Sequence, residues 1–189
     1  MAPVTEDEAA AAAERIYERL VESGRRVQKQ HDDQLLQRQL RLHFRRMPAR
    51  YLVDMCSGGG GGGGCKMEEV LIHLQLLADC ADPANRPVVH ARFLITIIPS
   101  SSSSTIRVHV HEIVFVCLDK PKLLSQLSAL VSEVGLNIRE AHVYSTLDAF
   151  SLSVFLVDGW NKEEAGGLLK AIKEKVIVWL ADQMLRATD

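Results

Sequence analysis

The run from His109 to Trp160 constrains the fold more than any other part of the chain. Ile113-Val114-Phe115-Val116-Cys117-Leu118 is apolar at every position. A strand with one wet face alternates, so both faces of this one are expected to be covered. The module's own helices can cover one face. The other needs the N-terminal segment or a second copy of the sheet.

The strand breaks at Asp119-Lys120-Pro121-Lys122. Leu123, Leu124, Leu127, Leu130, Val131 and Val134 then recur as a single apolar stripe, which predicts an amphipathic helix. Pro121 suits its first turn, and Asp119 or Lys120 is expected to cap it. Gly135 is placed to end it. Strands are predicted over 137–146 and 150–157, joined by the turn Leu147-Asp148-Ala149. On the second of these, Phe150, Leu152, Val154 and Leu156 share one face, and Ser151 and Ser153 the other.

From Lys162 a second helix carries Ala165, Leu168, Leu169, Ile172 and Val176 on one stripe. Residues 176–180 read as a last strand or as more helix. Helix is preferred, because it keeps Trp179 and Leu180 on that stripe. Ahead of the module, residues 88–98 and 106–118 read as two long strands, which the loop Ser100–Ser104 is expected to close into a loose hairpin. The sum is strand-helix-strand-strand-helix with an extra strand in front. Right-handed crossovers close such a pattern into an α+β sandwich, an antiparallel sheet with helices on one face.

The N-terminal part is helical in pattern. Thr5 and Glu8 form a capping box, and the helix behind it should stop at Gly24. Ile16, Leu20 and Val21 are its apolar positions. A second, basic helix with Leu35, Leu36, Leu40 and Phe44 is expected to run until Met47-Pro48. Gly58–Gly64 is an unbroken glycine run, which lacks the Lys-Ser/Thr ending of a phosphate loop and reads as linker. A third helix over 67–78 carries Val70, Leu71, Leu74 and Leu77. The expected organisation is a helical region over 1–55, a Gly-rich linker over 56–66, a helix, strand and Ser-rich loop over 67–105, and the sheet module over 106–185.

Composition narrows function. The 22 Lys and Arg against 24 Asp and Glu leave a formal charge of −2. The basic stretch Arg25, Arg26, Lys29, Arg38, Arg41, Arg45, Arg46 and Arg50 lacks interleaved aromatics. It reads as a solvated face balancing the acidic first helix, not as a nucleic-acid patch. Cys56, Cys65, Cys80 and Cys117 have neither zinc nor disulfide-framework spacing and read as reduced thiols. The acidic N-terminus fits neither a secretory signal nor a transit peptide, and no apolar run reaches membrane-spanning length. A cytoplasmic protein without nucleic-acid or membrane partners is expected. The serine run has no base beside it. His109 and His111 share a strand face near His90, so either a three-imidazole metal site or ordinary strand-end histidines fits. The second is preferred, because no carboxylate or cysteine completes a set.

Several segments together resemble a known family. They are Glu112–Phe115, Asp119-Lys120-Pro121-Lys122-Leu123-Leu124-Ser125-Gln126-Leu127, Gly135–His142, Ser145-Thr146 and Val157-Asp158-Gly159-Trp160. They resemble the ACT domain of plant ACT-domain Ser/Thr/Tyr protein kinases. His43–Tyr51 and Asp82–Pro87 resemble the N-terminal region of the same proteins. The resemblance implies a ferredoxin-like regulatory domain, preceded by a helical N-terminal region. ACT domains commonly hold an amino acid near the first strand–helix turn, often across a dimer interface. Carried onto this chain, that site is Asp119, Lys120, Pro121, Lys122, Leu123 and Leu124, with Asn137 and Ile138 lining the partner side. The turn amides and helix dipole favour a carboxylate, Asp119 an ammonium, and Lys122 adds positive charge.

Three positions depart from the family. Many ligand-binding ACT domains have glycine where Lys122 stands, and the family usually has glycine at Ala149 and aspartate at Ser153. The sequence holds no kinase Gly-rich loop, no His-Arg-Asp and no Asp-Phe-Gly. A non-catalytic protein without cofactor is expected, with kinase activity only in a longer form. Two function classes stand. One is a small-molecule sensor, an amino acid being the expected ligand. The other is an interaction module that forms homodimers or heterodimers, including one with an intact ACT-domain kinase.

Overall fold

A computed structural model describes residues 3–24, 30–56, 65–99 and 105–186. The glycine run, the serine run and the basic residues Arg25, Arg26 and Lys29 lie outside them. The chain divides into two compact units. One holds residues up to Pro83 together with Tyr144–Ser151, and the other holds Ala84–Val143 and Leu152 onward.

The first unit is helical: α1 (Glu6–Glu22), α2 (Gln30–Arg46), α3 (Ala49–Cys56) and α4 (Met67–Asp79). The capping box at Thr5 and Glu8 is present, with both reciprocal bonds made. Gly24 takes φ +72° just beyond the helix end. Helix α1 buries Ala9, Ala12, Ala13, Ile16 and Leu20. Leu40 and Phe44 of α2, and Tyr51 and Met55 of α3, are buried as well. Helix α3 was not anticipated, because Pro48 reads as a stop. Yet the Pro48 carbonyl accepts from the Tyr51 amide at 2.9 Å and starts a new turn. A proline just ahead of a helix is compatible with starting one.

The expected stripe of α4 is also rotated. Val70, His73, Leu76 and Leu77 are its buried residues, while Leu71 and Leu74 are only half-buried. A histidine takes a core position because a buried partner satisfies it, as described below.

The second unit holds most of the sheet. Its elements are β1 (Val88–Pro99), β2 (Thr105–Leu118), α5 (Leu123–Glu133), β3 (Asn137–Ser145), β4 (Phe150–Asp158) and α6 (Gly166–Arg186). The four strands lie in the order β1-β2-β4-β3. Strands β1 and β2 pair antiparallel, Val88 opposite Val116 and Ile95 opposite His109. A ferredoxin-like unit runs strand-helix-strand-strand-helix-strand. Here no strand follows α6 among the described residues, and the fourth place is filled from in front, by β1 beside β2.

The core sits between the sheet and α5 and α6. Ile113, Phe115 and Cys117 from β2, Phe155 and Val157 from β4, and Val89 and Ala91 from β1 meet Leu123, Leu127, Leu130 and Val131. Leu168, Ile172 and Val176 complete it, and α6 runs unbroken through 176–180. The Phe115 and Phe155 rings pack edge to face at 5.8 Å.

Val110, Val114 and Val116 on the opposite face of β2 are buried too, as the uninterrupted apolar run requires. The helix-facing side of β4 is the odd-numbered one, so Ser151 and Ser153, expected on the face opposite the apolar one, are fully buried. Helix α6 begins at Gly166, four residues later than expected, where the Glu164 carboxylate accepts from the Gly167 amide at 3.1 Å.

Candidate functional site

The turn after β2 is built differently from a proline-started helix. Lys122 is the N-cap, in a left-handed conformation with φ +63°, and no side chain caps the helix. Neither Asp119 nor Lys120 fills that role. The Leu123 amide is taken within the turn by the Lys120 carbonyl at 3.3 Å. Among the described residues no acceptor takes the Lys122 or Leu124 amide. Two N–H groups at the positive end of a helix therefore remain available, the arrangement that suits a carboxylate.

The eight expected site residues do not form one cluster. Asp119, Pro121, Lys122 and Leu124 are exposed at the turn. Leu123 is in the core. The Lys120 ammonium turns toward α6, donating to Gln183 Oε1 at 3.2 Å and lying 4.6 Å over the Trp179 ring. Asn137 and Ile138 open β3, beyond the far end of α5. That helix has 11 residues and so spans about 16 Å. Within one chain the two groups lie at opposite ends of the helix.

At that far end, Asn137 Nδ2 donates to Asp158 Oδ1 at 2.8 Å, and the Arg139 guanidinium pairs with the other oxygen. The Asn137 amide, then Arg139, hold the Asp158 carboxyl below its ordinary range. Gly159 takes φ +98°, and a Cβ there would lie 3.2 Å from the Gly135 carbonyl. Ile138 leans on the core.

Sequence reading missed a cleft of about 380 Å³ between α5 and α6. Gln126, Leu130, Glu133, Lys175, Trp179 and Gln183 are among the residues that line it. Lys175 and Glu133 pair across it at 3.4 Å. The stripe pattern places Trp179 on the inner face of α6 but says nothing of a gap beside it.

The histidines separate by register. His111 faces Phe93 and His109 faces Ile95, whereas His90 faces Val114. His90 is therefore on the other side of the sheet from His109 and His111, which rules out the three-imidazole arrangement. On His90's side Arg92 pairs with Glu112 at 2.7 Å, and burial pushes the His90 pKa down. No group of three potential metal ligands occurs among the described residues.

The helical unit hides a polar chain that sequence reading also missed. Tyr51 Oη lies 3.0 Å from His43 Nε2 and 2.9 Å from His73 Nδ1. Burial, then the charges of His73 and Arg46, drop the His43 pKa to about 3. The Tyr51 ring meets Tyr144 edge-on at 5.0 Å, and the Tyr144 hydroxyl donates to Asp54. Next to it, Arg46 pairs with Asp148 at 2.7 Å and lies 5.5 Å over the Phe150 ring. The i, i+8 spacing of His43 and Tyr51 across a proline gave no periodic signal.

The family ACT domain matches residues 111–175. Over these residues the chain is similar to an ACT domain. Its match starts inside β2 and ends inside α6, so β1 is an addition ahead of it. Two curated relatives extend the likeness beyond the ACT domain. The serine/threonine-protein kinase STY17 of Arabidopsis thaliana is 32% identical over 192 aligned positions, covering 71% of this chain and 32% of the kinase. The serine/threonine-protein kinase STY46 of the same plant is 32% identical over 187 positions, covering 70% of this chain and 31% of the kinase. The chain spans about a third of the length of these relatives. No solved structure matches it. Among the described residues no helix is long and apolar enough to cross a membrane.

Proposed function

We propose that this chain is a non-catalytic, cytoplasmic regulatory protein whose ACT domain senses an amino acid between two copies of itself. The carrying observation is the separation of the expected ligand groups to opposite ends of α5. The turn offers two amides, the helix dipole and the Asp119 carboxylate. A zwitterion needs both kinds of group, an N–H cluster for its carboxylate and an anion for its ammonium. Asn137 and Ile138 complete the pocket only from a second copy, which makes ligand binding and dimerisation one event. The glycine run serves as a linker between the segments it joins.

The test is thermal unfolding of the purified chain against each common amino acid, with sedimentation run in parallel. A ligand that binds only the native state stabilises by about 2.7 kcal/mol at a hundred times its dissociation constant. One amino acid should raise Tm and drive dimer formation, and Asp119→Ala should remove both effects. No shift with any amino acid would reject the sensor reading.

A second reading has its own support. Similarity to STY17 and STY46 covers about 70% of the chain, more than the ACT domain alone. On that reading the chain pairs with an intact ACT-domain kinase and alters its activity. Co-purification with such a kinase, and its phosphorylation rate with and without this chain, distinguishes the two.

A further inference from the structure

The glycine run is bracketed by two cysteines, Cys56 at the end of α3 and Cys65 just before α4. The ends of the bracket are held together. The Lys66 amide donates to the Met55 carbonyl at 2.8 Å, and Cys65 is near enough to Cys56 to help raise the pKa of its thiol. Cys65 is buried and Cys56 half-buried. That backbone bond joins the residues next to the two cysteines and so sets Cys56 beside Cys65, the placement a disulfide requires.

We propose that Cys56 and Cys65 are an oxidisable pair that closes to an intramolecular disulfide, tying the end of α3 to the start of α4. The two helices it would join also share the Tyr51–His73 hydrogen bond. Oxidation therefore strengthens the buried polar chain of the helical unit.

The oxidant is glutathione disulfide. Cys56, the more exposed of the two, is the first nucleophile. As a thiolate it attacks one sulfur of the oxidant, forms a mixed disulfide and releases one glutathione thiolate. Cys65, deprotonated, attacks the Cys56 sulfur, and the second glutathione leaves. Two protein thiols and one glutathione disulfide become one cystine and two glutathiones. Burial and the contact with Cys65 push the Cys56 pKa up to about 12, while Arg15 opposes this. A thiol held that way reacts slowly, so the pair is read at equilibrium.

Both cysteines lie between Arg50 and Lys66, with no other Lys or Arg in between. A tryptic digest therefore carries them on one peptide, while Cys80 and Cys117 fall on others. The full chain is equilibrated in glutathione buffers of rising oxidised fraction, acid-quenched, alkylated and digested without reduction. The 51–66 peptide should lose two hydrogens and both alkyl groups while the Cys80 and Cys117 peptides stay alkylated. The oxidised chain should melt several degrees higher, and Cys56→Ala should abolish that rise without lowering the Tm of the reduced chain by a comparable amount. Two alkylated thiols on this peptide at the most oxidising ratio would overturn the proposal. So would glutathione carried on either cysteine as the end state, or a cross-link to Cys80 or Cys117.

Discussion

Tyr51 Oη stands between two buried imidazoles, 3.0 Å from His43 Nε2 and 2.9 Å from His73 Nδ1. A phenol can donate to one and accept from the other, so the three groups share their protons within an apolar setting. Tyr51→Phe keeps the ring packed against Tyr144 but removes the shared hydroxyl. Stranding two buried imidazole nitrogens should cost about 1–3 kcal/mol, read as a lower urea midpoint at unchanged slope. A midpoint equal to that of the native chain would mean that water replaces the hydroxyl.

The same chain of groups sets a pH dependence. His43 titrates at about 3 in the fold against an ordinary 6.5, burial being the main cause. Between those values the unfolded chain binds a proton that the folded chain does not, so stability falls as pH falls through that window. The contribution is complete above about 6.5. Urea midpoints from pH 8 to pH 4, at intervals, should drop on the acid side, and His43→Gln should flatten the drop while lowering the neutral-pH midpoint. Parallel acid limbs in both proteins would assign the effect to other groups.

Lys122 and Ala149 both sit in the left-handed region, at φ +63° and +64°. A side chain there costs about 1–2 kcal/mol relative to ordinary backbone, and glycine escapes most of it. Part of the gain is lost because glycine also loosens the unfolded chain. Lys122→Gly and Ala149→Gly should each stabilise by about 0.5–1 kcal/mol, a Tm rise of about 1–4 °C for a chain of this size. Lys122→Ala, which keeps the Cβ, should not. If alanine and glycine stabilise alike, the cause is the lysine charge and not backbone strain.

These two positions also show what the sequence could and could not convey. The glycine preference of the family flagged both residues, and the backbone supplies the reason. The α5 stripe, the Gly135 stop, the Thr5–Glu8 cap and the continuation of α6 through Trp179 were legible, because each is a local pattern. The hairpin of β1 and β2 was legible as well, whereas the burial of His73 and the hidden serines of β4 were not. Periodicity reports which residues share a face and is silent on what that face meets. The parity of the β1–β2 register, which parts His90 from His109 and His111, depends on a pairing that no local pattern fixes. The same limit held for the ligand site. The turn residues were read as one side of it and Asn137 and Ile138 as the partner side, and no local pattern fixes how two copies would meet.

Lys120 illustrates a residue whose chemistry is already spent. Its ammonium lies over Trp179 and bonds Gln183, anchoring the last turns of α6 to the strand–helix turn. Lys120→Met keeps the stem and removes the charge. The loss of a partly buried cation–π contact should cost about 0.5–2 kcal/mol. Hydrogen exchange should quicken in α6 beyond Val176 while α5 is unchanged. If Lys120 instead served a ligand carboxylate, this variant would leave α6 exchange as it was and weaken amino-acid binding.

The split site makes a stronger demand than a dimer alone. If one copy supplies Asp119 and the turn amides and the other supplies Asn137, each pocket draws on two chains. Asp119→Ala spoils both pockets of its own homodimer, and Asn137→Ala does the same to its own. A mixed dimer of the two variants carries one pocket with both lesions and one with neither. Mixing the inactive variants should therefore restore binding at half the native stoichiometry, with the native dissociation constant, for whichever amino acid raises Tm. Calorimetric titration of tagged, co-purified heterodimers reads this directly. The Asn137 bond to Asp158 gives a control, because Asp158→Asn disturbs the same corner without removing Asn137. Restored binding can come only from a pocket shared between chains. Its absence, in heterodimers shown to form, would place the ligand within one copy and leave the α5–α6 cleft as the site to examine.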